Sequence, residues 1–300
     1  RVGQIVETRL VQTLAEGTMA GLKWATPSQM DQAPALVFFH ANGFCASTYR
    51  QMLQPVAEAI GRPVAAFDLR GHGRTHLPDD PNQQDNWNRF ARDIAALLDQ
   101  IAPQGTVLAG HSMGGTSSLL ASALRPDLVN GLCLFDPVLA PAPFYFYAHM
   151  PWVFRLWRSQ FPLAKAAGRR RAIFPSRQAV LDAYTGRGAF KSWPTAMLAD
   201  YCEDGFTDMP DGQVRLSCAP AFEAACFAGQ RHYPLQAIKS LKVPGRLLRG
   251  ARHSTTVATL IPLLTRSGIQ VDTIPETSHF LPMEKPEACS KALIDLIQAV

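Results

Sequence analysis

The stretch Thr106-Val107-Leu108-Ala109 runs directly into Gly110-His111-Ser112-Met113-Gly114, and residues 116–124 then read as a helix. A Gly-x-Ser-x-Gly turn between a strand and a helix needs its glycines. The chain passes so close to itself there that a Cβ would clash, and the serine is held in a strained backbone conformation. The result is a hydroxyl, that of Ser112, lifted out at the end of a sheet. The backbone N–H of Met113, at the new helix start, points to where a negative oxygen would develop.

The rest of the chain repeats that strand-to-helix rhythm on both sides. Residues 5–14 and 18–24 alternate in polarity and meet near Glu16-Gly17, so they read as an antiparallel hairpin. Residues 35–39, 64–68 and 132–135 are short continuous apolar runs, the pattern of strands buried on both faces. Residues 47–60 and 85–101 carry apolar side chains at helical spacing. This is the pattern of a mostly parallel α/β sheet. Three hundred residues of 47% apolar composition bury a large core, and one catalytic domain with an insertion fits better than two independent domains.

From residue 137 to 240 the rhythm stops. Pro137, Pro141 and Pro143 open a segment rich in aromatics (Phe144, Tyr145, Phe146, Tyr147, Trp152, Phe154, Trp157, Phe161) that also holds the basic run Arg169-Arg170-Arg171. About a hundred inserted residues do not form a structureless loop. The expectation is a helical cap, 137–240, over the C-terminal ends of the strands of a core domain made of 1–136 and 241–300. Most of its aromatics then form the cap's own core, and a few line the substrate cavity. Residues 201–216, with Asp211-Gly212, read as a short hairpin. Residues 243–248 and 269–274 are the returning strands, and 286–300 the last helix.

The net charge of +5 is spread through the chain, which argues against a dedicated nucleic-acid binder. No run of about 18 uncharged apolar residues is present to span a membrane. The start, Arg1-Val2-Gly3-Gln4, leads into strand-like sequence and not into an apolar signal region, although a processed chain would look the same. Six cysteines without zinc-like spacing read as buried free thiols of a cytoplasmic protein, with a Cys202–Cys218 bridge as the alternative. No metal or nucleotide motif is present, so no cofactor is expected. Oligomeric state is not legible.

On His40-Ala41-Asn42-Gly43, Asp68-Leu69-Arg70-Gly71-His72-Gly73, the turn at Ser112 and Ser278-His279-Phe280, the chain resembles the α/β-hydrolases along its whole length. The resemblance implies a mostly parallel sheet wrapped by helices and a Ser-acid-His triad in that chain order. It makes Ser112 the nucleophile and His279 the base, and it gives the oxyanion hole to the backbone N–H groups of Met113 and Asn42, with Ala41 replacing a common glycine. His40 holds the oxyanion loop. His72 and His76 belong to a structural turn, His111 is the variable residue of the serine turn, and His149, His232 and His253 match no motif. Asp68 and Arg70 are structural.

The acid departs from the commoner pattern. Many relatives carry an aspartate just after the strand matched by Arg246-Leu247-Leu248-Arg249-Gly250, yet residues 251–256 contain no carboxylate. Asp136 matches an alternative family position. It can equally be a turn cap before Pro137, and a Ser-His dyad is the third option. The expected reaction is hydrolysis of a carboxylic ester with an apolar acyl or aryl group through an acyl-enzyme. Lactone, monoacylglycerol and carbon–carbon bond hydrolysis are alternatives, as is a ligand-binding protein that only retains the fold.

Overall fold

Short apolar runs make the centre of the molecule. In the computed structural model, which describes residues 3–300, the strands are β1 (Val6–Leu14), β2 (Gly17–Ala25), β3 (Leu36–Phe39), β4 (Val64–Phe67), β5 (Thr106–His111), β6 (Val129–Phe135), β7 (Ile173–Phe174), β8 (Phe206–Asp208), β9 (Val214–Leu216), β10 (Gly245–Gly250) and β11 (Ile269–Ile274). The part of the N-terminal reading that concerns Arg1 and Val2 lies outside the described residues. Eight strands form one sheet in the order β1-β2-β4-β3-β5-β6-β10-β11. β1 and β2 pair antiparallel, β2 meets β4 antiparallel, and β4 through β11 run parallel.

Every residue of β3, β4 and β5 is buried, because helices cover both faces. Alternate side chains enter different layers. Leu36, Phe38, Val64, Ala66, Val107 and Ala109 pack with Met52, Leu53, Leu293 and Ile297 of helices Arg50–Ile60 and Pro286–Ala299. Val37, Phe39, Ala65, Phe67 and Leu108 pack with Phe90, Ile94, Leu97 and Leu119 of helices Asn88–Ile101 and Met113–Leu124. Each fully buried Val, Leu or Phe contributes about 1.5–3 kcal/mol by area burial. The strand order reverses between β3 and β5, since β4 lies on one side of β3 and β5 on the other. In open parallel sheets, ligands bind at such a point, beyond the strands' carboxyl ends.

Between β6 and β10 the chain forms seven helices and the small antiparallel sheet β7-β9-β8. Residues 201–205, read from sequence as hairpin, instead end the helix Thr195–Gly205. Its buried positions Met197, Leu198, Tyr201, Cys202 and Gly205 recur at helical spacing, and only 206–216 form the hairpin. The aromatics at the start of this segment are divided between interior and surface. Tyr145 and Phe154 are buried, whereas Phe146, Tyr147 and Trp152 are exposed. All six cysteines are buried and unpaired, so the Cys202–Cys218 bridge is absent. No helix among the described residues is long and apolar enough to cross a membrane.

Candidate active site

The serine turn is built by close backbone approach. A Cβ on Gly114 would lie 2.3 Å from the carbonyl oxygen of Phe39 and 2.4 Å from that of His40. A Cβ on Gly110 would lie 2.3 Å from the backbone of Gly114. Neither contact is possible, so both positions require glycine. Between them Ser112 adopts φ 55 and ψ −120, in the positive-φ part of backbone space that a residue with a side chain rarely enters. Met113 follows as the first helical residue, and a first-turn N–H has no acceptor within its own helix.

Asp136, the residue after β6, is also at positive φ, 42, and is fully buried. Its Oδ1 lies 2.7 Å from Nδ1 of His279. The loop after β10, which carries no carboxylate of its own, is wrapped around this one. Oδ1 accepts hydrogen bonds from the backbone N–H of Thr255 (2.7 Å) and its hydroxyl (2.9 Å). Oδ2 accepts from the Gly250 N–H (2.8 Å) and the Ser254 hydroxyl (2.7 Å). Burial by itself would raise the pKa of Asp136. The hydrogen bond from His279 and its charge, then the Gly250 and Ser254 donors, outweigh it and pull the carboxyl down to about 2. An ionised Asp136 can only accept, so Nδ1 of His279 carries the proton and Nε2 is left with its lone pair. The loop that bears His279 is pinned from behind, where Glu284 accepts from the Ser278 N–H (2.7 Å) and hydroxyl (2.9 Å).

The loop after β3 is held by two neutral imidazoles. His40 Nε2 accepts from the Leu69 N–H (2.8 Å) while its Nδ1–H donates to the Ala41 carbonyl (2.7 Å). His72 Nε2 accepts from the Gly43 N–H (2.9 Å) and its Nδ1–H donates to the Arg70 carbonyl (2.9 Å). Burial, reinforced by His72, lowers the pKa of His40 well below its ordinary value, and burial takes His72 to about 4. Both act as fixed acceptors. Asp68 binds the N–H groups of Ala46 and Arg74, and Arg70 pairs with Asp93 and Glu16. Neither lines the cavity described next.

Ser112, Met113, Asn42 and His279 all line one cavity of about 630 Å³, with Asp136 behind His279. Its walls are largely apolar and come from the strand ends and from the 137–240 segment, which contributes Phe144, Phe161, Phe190 and Phe227 among others. Of the five residues that sequence singles out, four therefore share this space and the fifth is bonded to one of them. Several residues that sequence reasoning passed over also converge here. Ser254 and Thr255 hold Asp136, His253 lines the cavity, and Arg170 and Glu223 form an ion pair in its wall. Among the described residues no three His, Cys, Asp or Glu side chains gather as metal ligands.

The sequence profile described as the alpha/beta hydrolase family matches residues 36–292, from β3 to the last helix. The chain belongs to the alpha/beta hydrolase family. Within that family, an esterase of Mycobacterium tuberculosis is 30% identical over 172 residues, which is 57% of this chain and 51% of the esterase's own length. A 2-(acetamidomethylene)succinate hydrolase of Mesorhizobium japonicum is 25% identical over 268 residues, covering 89% of this chain and 88% of that one. The crystal structure of E-2-(acetamidomethylene)succinate hydrolase superposes with a TM-score of 0.74 at 22% identity, over 98% of this chain and 100% of that chain. An enol-lactonase from Burkholderia xenovorans gives 0.68 at 17% identity, over 96% and 100%. At those identities the structural likeness is one of fold. The curated alpha/beta hydrolase relatives, named as an esterase and a hydrolase, support a hydrolase activity for this member.

Proposed function

We propose that this member of the family is a serine hydrolase that cleaves a carboxylic ester through an acyl-enzyme on Ser112. The observation that carries the reading is the 2.7 Å pairing of Asp136 with His279, which lines the same cavity as Ser112, itself at positive φ. Asp136 fixes the imidazole so that Nε2 faces the reaction as general base and stabilises the imidazolium that forms. Ser112 Oγ gives its proton to Nε2 as it attacks the carbonyl carbon. The negative oxygen that results is taken up by the N–H groups of Met113 and Asn42. His279 then protonates the leaving alcohol, and the same base activates water to release the acid. Proton and charge balance at every step without a further group.

The 137–240 segment acts in this reading as a cap that sets which acyl group fits. Its apolar contribution to the cavity favours a substrate with an extended apolar or aryl part. The test is labelling with a fluorophosphonate followed by turnover of p-nitrophenyl esters. Wild-type protein should label at Ser112 and hydrolyse the esters, and Ser112→Ala should do neither. A wild-type protein that neither labels nor turns over any ester overturns the reading.

A further inference from the structure

An apolar cavity gains nothing from a buried ion pair in its wall unless something uses it. Taking two charges out of water costs several kcal/mol per ion, and a hydrophobic replacement of similar volume is often as stable or more so. Here Arg170 donates through Nη1 to Glu223 Oε2 at 2.7 Å and through Nη2 to the hydroxyls of Tyr184 and Tyr201, both at 3.1 Å. Those bonds use three of the five guanidinium N–H groups. Among the described residues neither Nε of Arg170 nor Oε1 of Glu223 takes part in these bonds, and neither is a fully enclosed unpaired atom. Both residues line the cavity. The pair also sits against the loop after β3. Asn42 Nδ2 donates to the Glu223 backbone carbonyl at 3.1 Å, and a Cβ on Gly43 would lie 2.8 Å from Glu223 Oε1.

We propose that Arg170 and Glu223 form a polar subsite, beside the Asn42 loop, that recognises an uncharged hydroxyl or carboxamide on the substrate. This rests on the ester-hydrolase reading and names the substrate class more closely. The matching of charges selects the ligand. A hydroxyl or primary amide can donate to Oε1 of Glu223 and accept from the free N–H groups of Arg170 at once. A carboxylate would meet Arg170 but be repelled by Glu223, and an ammonium would meet Glu223 but be repelled by Arg170. A plain alkyl chain would leave both inner groups unpaired in a desolvated wall, and sites built to hydrogen-bond a ligand group discriminate strongly against analogues that lack it.

The experiment compares kcat/KM for p-nitrophenyl esters of straight-chain acids of several lengths, each as the plain alkyl ester and as its terminal hydroxyl, carboxamide, carboxylate and ammonium analogue. At the best chain length the hydroxyl or carboxamide ester should exceed the alkyl ester about tenfold or more, the scale of one hydrogen bond to a charged group, while the two charged analogues fall below it. Glu223→Gln and Arg170→Gln should collapse that ratio toward one. Glu223→Gln keeps side-chain size and Arg170→Gln shortens the side chain, and if either fails to fold, the wild-type ratio alone decides. A ratio at or below one, or a preference for the carboxylate ester, overturns the proposal. Protection of Ser112→Ala protein against thermal unfolding by the corresponding N-methylamides reads the same ranking without turnover. Stabilisation by the polar amides in a protein whose wild type hydrolyses no ester would keep the subsite and reject the hydrolase reading.

Discussion

The carbonyl oxygen of His279 accepts a 2.7 Å hydrogen bond from Nε2 of His111, the residue directly before Ser112. A carbonyl can only accept, so the His111 proton is on Nε2 and its Nδ1 accepts from the Tyr49 hydroxyl, 2.7 Å away. Tyr49 in turn accepts from the N–H of Ala41 at 3.0 Å. Burial, and then the neighbouring His279, depress the pKa of His111 to about 3, so it stays neutral throughout this chain of bonds. The loop after β3, the serine turn and the loop that bears His279 are thereby tied together.

Breaking the middle of that chain is the first prediction. Tyr49→Phe removes one hydroxyl and leaves the Ala41 N–H and His111 Nδ1 without partners in a buried site. It should cost about 1–3 kcal/mol of stability and lower kcat more than it raises KM, because in the proposed mechanism the loops it frees carry groups that act in the transition state. Urea unfolding and steady-state kinetics with a p-nitrophenyl ester check both parts. Unchanged kcat with reduced stability would make the chain of bonds a purely structural feature.

The strained serine gives a second test. At φ 55 and ψ −120, Ser112 sits where a residue with a side chain is held at a cost of about 1–3 kcal/mol. Glycine escapes that cost but loses about 0.5–1 kcal/mol to its freer unfolded chain. Ser112→Gly should therefore be about 1 kcal/mol more stable than wild type, Ser112→Ala should match wild type, and both should lack ester turnover. Thermal melts of the three proteins decide it. A glycine variant that is less stable would mean that the Ser112 side chain contributes packing that outweighs its strain.

What was legible in the sequence followed from local rules. The four-residue apolar runs of β3 and β4 can only be strands covered on both faces, and a Gly-x-Ser-x-Gly between strand and helix leaves little choice of backbone. Asp136 stands out only through the family resemblance, since a carboxylate after a buried strand and before a proline fits a turn cap as well. The loop after β10 shows no carboxylate in its sequence, and what it supplies is donors: the Gly250 and Thr255 N–H groups and two hydroxyls around Asp136. Backbone N–H groups leave no mark on a sequence. Arg170 and Glu223 are equally hidden, since 53 positions separate them and Arg170 is one of three consecutive arginines that nothing in the sequence tells apart. The end of the helix Thr195–Gly205 reads as strand in sequence because its Tyr and Cys fit either pattern over so few residues.

A third prediction concerns acyl length. The cavity of about 630 Å³ is far larger than an acetyl group needs, and its wall is mostly apolar. Each methylene buried there is worth about 0.8 kcal/mol, or about fourfold in kcat/KM. Activity on p-nitrophenyl esters should climb from acetate through the medium-chain acids and then level off as the cavity fills. If acetate turned over best, the apolar wall would not be contacting the acyl chain.

The last prediction separates the two roles open to Asp136. If it only closes a turn, replacing it changes stability. If it orients His279, the chemistry suffers as well. Asp136→Asn keeps the size of the side chain but turns one acceptor into a donor facing the donors of Gly250, Ser254, Thr255 and His279, so about 1–3 kcal/mol of stability should be lost. Because the altered partner favours the wrong imidazole tautomer, kcat should fall by about 10⁴. The carboxyl also has a pH signature. Its pKa is lowered from 3.8 to about 2 in the folded protein, so the folded state binds fewer protons than the unfolded one. Its contribution is complete above about pH 4 and is lost as the pH falls toward about 2. The stability gap between wild type and Asp136→Asn, measured by urea unfolding across that range, should therefore narrow with acidification. A variant that turns over normally removes Asp136 from the mechanism, and a gap that stays constant from pH 6 to 2 means its carboxylate is not the group that His279 and the loop after β10 hold charged.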